Sequence, residues 1–469
     1  MPMPMPMRRV LVANRGEIAC RIIRACRAEG LAAVAVYSDA DANALHVECA
    51  DDARHIGGAA PRDSYLNFDA ILAAAADARA DAVHPGYGFL AENADFAEAV
   101  EAAGLIWVGP RAQNIRDMGD KNAARETAQA AGVPVLPGSG RIEVAAGNFD
   151  ADALARAGQQ TGYPLLIKAA AGGGGIGMRQ VDSAAQLADA AEATAELAGR
   201  AFGDGGIFLE RFVANARHVE VQVFGCGAGR AAHFFERECS LQRRFQKIIE
   251  EAPSPGINAE LRADMHAAAV ALARAVSYRG AGTVEFVVDD DRGAFFFLEM
   301  NTRIQVEHPV TEMVCGVDLV ALQLRLAAGA LQDADLEQDS IAATGHAIEC
   351  RLYAEDPSRM FLPSPGQLER LQFPAAGDTV RVDTGFRQGD VITPHYDPML
   401  AKIIARGRDR DAACAALAAA LETTRVGGVA SNLGFLKKMH RPPRFPRRRH
   451  AHKLRRPASR RLDIAAPFA

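Results

Sequence analysis

The spacing of apolar residues changes along this chain, and each change marks an element. In RRVLVANRGEIACRIIRACRAEGLAAVAVYSD, Val10 to Ala13 form a continuous apolar run, Ile18, Ile22, Ile23 and Cys26 recur at helical spacing, and Val34 to Tyr37 are apolar again. That pattern predicts strand, helix, strand, with Gly30 ending the helix: a βαβ unit. Short apolar runs in ADAVHPG and LIWVGP, separated by Ala-rich helical stretches at about 68–79 and 93–103, extend it to a small parallel sheet. Further on, Leu165 to Ala169 reads as a strand and MRQVDS as its returning partner, on either side of a glycine run. Longer strands follow in HVEVQVFG, AAHFFERE, GTVEFVVDD and AFFFLEMN, with helices between them. After GHAIECRLYAEDP come short strands and one Ala-rich helix, ending near Leu436. The expected fold is a multidomain α/β (α+β) chain: a parallel βαβ domain over 8–120, a central domain over 121–320 with a glycine-rich lid at about 138–210, and a mixed β/α domain over 340–436.

Length and composition agree with several cores. At 469 residues the chain exceeds one ordinary domain, and 49% apolar with 24% charged residues is a soluble globular balance. A net charge of −5 argues against whole-chain attraction to nucleic acid or anionic membrane. The start, MPMPMPMRRVLVANRGE, has prolines and arginines where a secretory signal needs an apolar core, and no stretch reaches membrane-spanning length; a cytoplasmic location is expected. The eight cysteines contain no CxxC and the histidines no HExxH, so free thiols and no zinc site are expected. The tail over 437–469 is rich in Arg and Lys with no acid before Asp463, a composition that predicts a basic disordered segment.

Two patterns carry chemistry. The run Gly172 to Gly175 with Gly177, entered from a strand that bears Lys168, satisfies GxGxxG only weakly, because a strand and not a helix follows; Walker A is excluded by Met178. What remains is a hairpin with a glycine tip whose amides can fold over phosphates, or a plain flexible loop. The second pattern is GTVEFVVDDDRGAFFFLEMN. Counting back from its turn at DDDRG sets Glu285 opposite Glu299, with Asn301 on the same face. Two such carboxylates beside a core require either a proton or a cation between them, and carboxylates with an amide oxygen suit magnesium; a solvated edge with unrelated acids is the plain alternative. If the chain stays extended, Arg303, Gln305 and Glu307 continue that face, offering a fork for a small planar oxyanion and a carboxylate base.

The motifs VLVANRGEIACRIIRAC, HPGYGFLAEN, MGDKNAAR, KAAAGGGGIGM, RHVEVQV, QRRFQKIIEEAPSPG, RGAGTVEF, LEMNTRIQVEHPVTEM and IECRLYAEDP together resemble the biotin carboxylase component of biotin-dependent acyl-CoA carboxylases, an ATP-grasp ligase, over about residues 8 to 436. The resemblance makes the central domain an ATP-grasp domain. It implies that MgATP (or the manganese complex), bicarbonate and biotin on a carrier yield N-carboxybiotin, ADP and phosphate. By the same resemblance Lys121, Lys168, His218 and the flap with Gly174 and Gly175 hold ATP, with Glu210 near adenine and ribose. Glu285, Glu299 and Asn301 match metal ligands. Lys247, Arg303, Gln305 and the backbone of Val306 match a bicarbonate site, Glu307 a general base, Arg351 the group that stabilises the biotin enolate, and Tyr87 a neighbour of the biotin ring. Implied partners are a biotin carboxyl carrier protein or domain and a carboxyltransferase subunit, with a homodimer or larger assembly.

The chain departs from the family pattern at Phe245, where histidine is usual, and at Ile176 in the flap. No AMKM biotinylation motif occurs, so a separate carrier, or a truncated or frameshifted form of a longer subunit, is expected. Another ATP-grasp carboxylate–amine ligase and a catalytically impaired structural subunit stand as alternatives.

Overall fold

The computed structural model describes residues 7–143, 150–170, 178–243 and 246–439. Five parallel strands, β1 (Arg9–Val12), β2 (Ala32–Tyr37), β3 (Asp52–His55), β4 (Ala82–His84) and β5 (Ile106–Trp107), pair in the order β3-β2-β1-β4-β5. Val10, Leu11 and Val12 are fully buried, as a parallel strand covered on both faces requires. The helix Gly16–Ala28 turns Ile18, Ile22, Ile23 and Cys26 onto this sheet, and Gly30, at φ +71°, supplies the left-handed residue that ends it.

A second, antiparallel sheet contains β6 (Leu165–Ala169), β7 (Met178–Val181) and β8 (Ile207–Arg211) in the order β7-β6-β8. Leu165, Ile167, Ile207 and Leu209 pack there against Leu154 and Leu187 of the flanking helices. Gly174, Gly175, Ile176 and Phe245 lie outside the described residues.

The largest element is an eight-stranded antiparallel sheet. Its strands are β9 (Ala216–Cys226), β10 (Ala231–Arg243), β11 (Gln246–Ala252), β12 (Arg279–Asp289), β13 (Ala294–Asn301), β14 (His346–Tyr353), β15 (Val380–Thr384) and β16 (Met399–Gly407). They run in the order β13-β12-β9-β10-β11-β14-β16-β15. The pairing of β11 with β14 carries the sheet without a break across the boundary expected between the central and C-terminal domains.

Period two divides this sheet into unlike faces. Val219, Val221 and Val223 of β9 and Val284, Phe286 and Val288 of β12 form a core with the helix Ala259–Ala275. Burying each of these side chains stabilises the fold by about 1.5–3 kcal/mol, which offsets the desolvation of the charged side chains on the other face. That other face has a row of aligned cross-strand pairs: Glu299 with Glu285, Glu285 with Glu220, Glu220 with Arg237, Glu250 with Glu349, Arg351 with Lys402, and Lys402 with Asp383. The segment 302–307 and the helix His308–Cys315 lie over it.

All eight cysteines are free: Cys20, Cys26, Cys239 and Cys350 are buried and the other four half-buried. Among the described residues no helix is long and apolar enough to cross a membrane.

Candidate active site

The hairpin β12–β13 puts Glu285 opposite Glu299, with a bulge after Glu285. Glu285 is buried, and its Oε1 accepts hydrogen bonds from Lys247 Nζ at 2.8 Å, Gln305 Nε2 at 2.8 Å and Asn301 Nδ2 at 2.9 Å. Its Oε2 forms an ion pair with His218 Nε2 at 2.7 Å. Burial alone would raise the Glu285 carboxyl, but Lys247 and then His218 hold it well below the usual range. Glu299 moves the other way, raised by burial and then by the neighbouring Glu285 charge, while Lys121 opposes the shift. The two acids thus divide their proton affinities, as a like-charged pair must.

Lys247 is the hub of the site. Its ammonium reaches Glu220 Oε2 at 2.6 Å, Glu307 Oε1 at 2.7 Å and Glu285, and despite burial these three acids keep it charged well beyond its ordinary range. Glu307 is held between Lys247 and Arg351, whose Nη2 donates to Glu307 Oε2 at 2.9 Å. Burial would raise this carboxyl, yet Lys247, Arg351 and Arg237 hold it far below the usual range. Behind them Arg237, fully buried, donates to Glu220, Gln222, Thr283, Gln305 and Thr311. Gln305 is therefore fixed at both ends, its oxygen accepting from Arg237 at 2.8 Å and its nitrogen donating to Glu285.

The chain does not stay extended past Asn301, as the continued odd-numbered face required. The strand ends there, and Pro309 in the first turn favours the helix that begins at His308. Gln305 and Glu307 still converge on the site because the intervening turn brings them back over the sheet. Arg303 is drawn partly aside: its Nε donates to Glu92 Oε2 at 2.8 Å and its Nη2 to Asn301 Oδ1 at 3.0 Å.

The remaining expected positions fall into two groups. The Tyr87 hydroxyl donates a hydrogen bond to Glu17, and Glu17 also lies 3.2 Å from Lys402 Nζ, which donates to the Val306 carbonyl at 2.9 Å. Tyr87 and Val306 thus belong to one network. Lys168 on β6 and Glu210 on β8 are instead ion-paired with each other on the smaller sheet, and Lys121 begins the helix Lys121–Ala130.

Glu220, Arg237, Glu92, Glu17 and Lys402 were not found by motif reading. The signal available for three of them was a charge set in an apolar strand, as in HVEVQV, FFERECS and MLAKIIA. Lys402 is fully buried and lies 3.9 Å from Asp383. Lys402→Met is expected to leave Glu17 without its cation and the Val306 carbonyl without its Lys402 donor, destabilising the protein by about 3 kcal/mol, as expected when one partner of a buried ion pair is removed. Urea titration checks this, and an unchanged midpoint would contradict it.

The donor set fits an oxygen-preferring divalent cation. Glu285, Glu299 and Asn301 supply two carboxylates and an amide on one hairpin, and the raised Glu299 carboxyl marks a like-charge conflict that such a cation relieves. His218, Glu220 and Glu285 also offer ligand atoms within 4.8 Å of one another. In this structure the Lys247 ammonium and the His218 ring lie beside Glu285.

Known proteins match this sequence and fold. Residues 6–115 match the family described as biotin carboxylase, N-terminal domain; residues 120–334 the carbamoyl-phosphate synthase L chain, ATP binding domain; and residues 349–454 the biotin carboxylase C-terminal domain. The alpha subunit of mitochondrial methylcrotonoyl-CoA carboxylase from Mus musculus is 49% identical over 93% of this chain, which spans only 60% of that protein's length. Biotin carboxylase 1 of Bacillus subtilis is 48% identical, with 92% of this chain and 94% of that protein aligned. Among solved structures, the biotin carboxylase domain dimer of Hydrogenobacter thermophilus 2-oxoglutarate carboxylase, in complex with MgADP, ADP and bicarbonate, superposes with a TM-score of 0.84 at 42% identity, covering 94% of this chain and 95% of that one. Sequence relationship over nearly the whole length of a biotin carboxylase, together with a fold shared at that level, means that the chain belongs to the biotin carboxylase family.

Proposed function

We propose that this chain uses ATP and bicarbonate to carboxylate biotin presented by a carrier protein or domain, the first half-reaction of an acyl-CoA carboxylase. The observation that carries the reading is the placement of Glu285, Lys247, Glu307 and Arg351 in one contact network on a single sheet face. Glu285, Glu299 and Asn301 would hold magnesium, which when bound supplies positive charge to phosphate oxygens. Lys121, Lys168, Glu210 and His218, with the flap of Gly174 and Gly175, are assigned to ATP.

Bicarbonate is assigned to Lys247, Arg303, Gln305 and the Val306 backbone. As Glu307 stands, Lys247, Arg351 and Arg237 make it a weak base. An anion that shares Lys247 and Arg303 weakens that hold and raises its proton affinity, so substrate binding itself prepares the base. Glu307 then takes the bicarbonate proton, and the freed oxygen attacks the γ-phosphorus as the bond to ADP breaks. Carboxyphosphate splits to CO2 and phosphate. Phosphate takes the biotin N–H proton, the nitrogen attacks CO2, and Arg351 balances the charge on the ureido oxygen, with Tyr87 beside the ring.

Domains over 8–120, 121–320 and 340–436 are proposed to divide these tasks, followed by the basic tail over 437–469. The names of the relatives favour a methylcrotonyl-type complex with a carboxyltransferase partner, and the dimer seen for the thermophilic domain favours a homodimer. The substrates are water-soluble, and we place the protein in the cytoplasm. ADP release with free biotin tests the reading: release should require bicarbonate and rise with biotin. Release that ignores both, or that needs a carboxylate and an amine instead, would overturn it.

A further inference from the structure

Behind the site is a second pair of acids that the reaction scheme leaves without a role. Glu250 on β11 and Glu349 on β14 are directly opposed in register, and both side chains are fully buried. Among the described residues none of their four carboxylate oxygens accepts a hydrogen bond. Glu250 has one cation against it: Arg351 Nε lies 2.7 Å from its Oε1, an ion contact without hydrogen-bond alignment. Arg351 is thus held between two carboxylates, Glu250 behind and Glu307 in front. Glu349, two residues before Arg351 on the same strand, projects from the same face.

We propose that Glu250 is a positioning residue for Arg351, acting as a carboxylate that aims the guanidinium, while Glu349 remains protonated beside it so that only one negative charge faces the arginine. The proposal rests on the role assigned to Arg351 in biotin carboxylation. Its physical basis is that two opposed carboxylates without donors, in a sheet interior, cannot both be ionised.

The surrounding charges decide which acid keeps the proton. Facing Glu250 are Arg351 and Glu349 from β14, Glu307 from the turn before His308, Lys247 from its own strand and Glu220 from β9; Cys239, Cys350 and Tyr353 add neutral titratable groups nearby. Burial, opposed first by Arg351, brings the Glu250 carboxyl up to about 7. Burial raises Glu349 well above its usual range, Lys402 opposing and Glu250 adding to the shift. Glu349 is therefore the acid that holds the proton more firmly, and Glu250 loses its proton as pH rises through about 7. Below that pH the rear hold on Arg351 is lost, and the guanidinium turns wholly to Glu307.

The test is the ratio of biotin carboxylation to bicarbonate-dependent ATP cleavage, measured from pH 6 to 9 on the full chain with free biotin. In the wild type this ratio should rise as pH passes through about 7, because titrations common to both reactions cancel. Glu250→Gln should lower the ratio about tenfold, the scale of one charge-assisted contact, and make it independent of pH. Glu250→Asp should restore part of the pH dependence, and Glu349→Gln, which imitates the protonated acid, should preserve it. A Glu250→Gln protein that keeps the wild-type ratio and slope, or loses both reactions in equal measure, would overturn the proposal, as would a flat profile in Glu349→Gln. Failure of the underlying functional reading looks different: the wild type itself would then show no bicarbonate-dependent ATP cleavage.

Discussion

Glu285→Gln is expected to slow bicarbonate-dependent ATP cleavage by about a hundred- to a thousandfold, the range seen when one electrostatic contributor is removed from a reacting centre. The side chain keeps its shape, so the loss is one of charge. Four groups converge on Glu285: Lys247, His218, Asn301 and Gln305. Without its charge the hairpin keeps only Glu299 as an anionic ligand, and Lys247 shifts its balance toward Glu220 and Glu307. Both changes act on the step in which phosphoryl leaves ATP. Steady-state ADP release over a range of magnesium concentrations checks this. A variant restored to the wild-type rate by magnesium alone would show that Glu285 only binds the metal, and a variant within threefold of wild type throughout would contradict the assignment.

Arg351→Ala should act on the other half of the chemistry. Biotin carboxylation is expected to fall by about a hundredfold or more, while bicarbonate-dependent ATP cleavage falls far less, because Arg351 touches Glu307 from the side away from Lys247 and makes no contact with Glu285 or Glu299 among the described residues. Glu307 keeps Lys247 in the variant and so remains ionised. Equal loss of both rates, in a protein that unfolds at the wild-type temperature, would contradict the division of roles.

Much of this site was legible because its decisive pairing is local. The turn at DDDRG fixes the register of one hairpin, so the opposition of Glu285 and Glu299 follows from counting residues. Convergence of Gln305 and Glu307 was also legible, although the path was not: extended spacing was expected where a turn and a helix start stand. What period-two reasoning could not reach were contacts between strands distant in sequence. Lys402 meets Arg351 across β14 and β16, and Glu250 meets Glu349 across β11 and β14, after intervening elements of uncertain length. No local pattern sets those registers; the hint was only that KIIEEA, AIECRLY and MLAKIIA place charges inside apolar runs. The same limit hid the eight-stranded sheet, which joins stretches read as separate domains. Lys168 and Glu210 show a further gap: the resemblance assigned both to nucleotide, but nothing local announced that they pair with each other.

The central claim is that one sheet face activates bicarbonate by phosphoryl transfer before biotin is carboxylated. Bicarbonate labelled with oxygen-18 tests this directly, with the isotope content of the phosphate read by mass spectrometry after turnover with ATP and biotin. One labelled oxygen should appear in each phosphate released, carried over from the oxygen that attacked the γ-phosphorus. Phosphate free of label during active biotin carboxylation would mean that no bond forms between bicarbonate oxygen and phosphorus, and the proposed mechanism would be wrong.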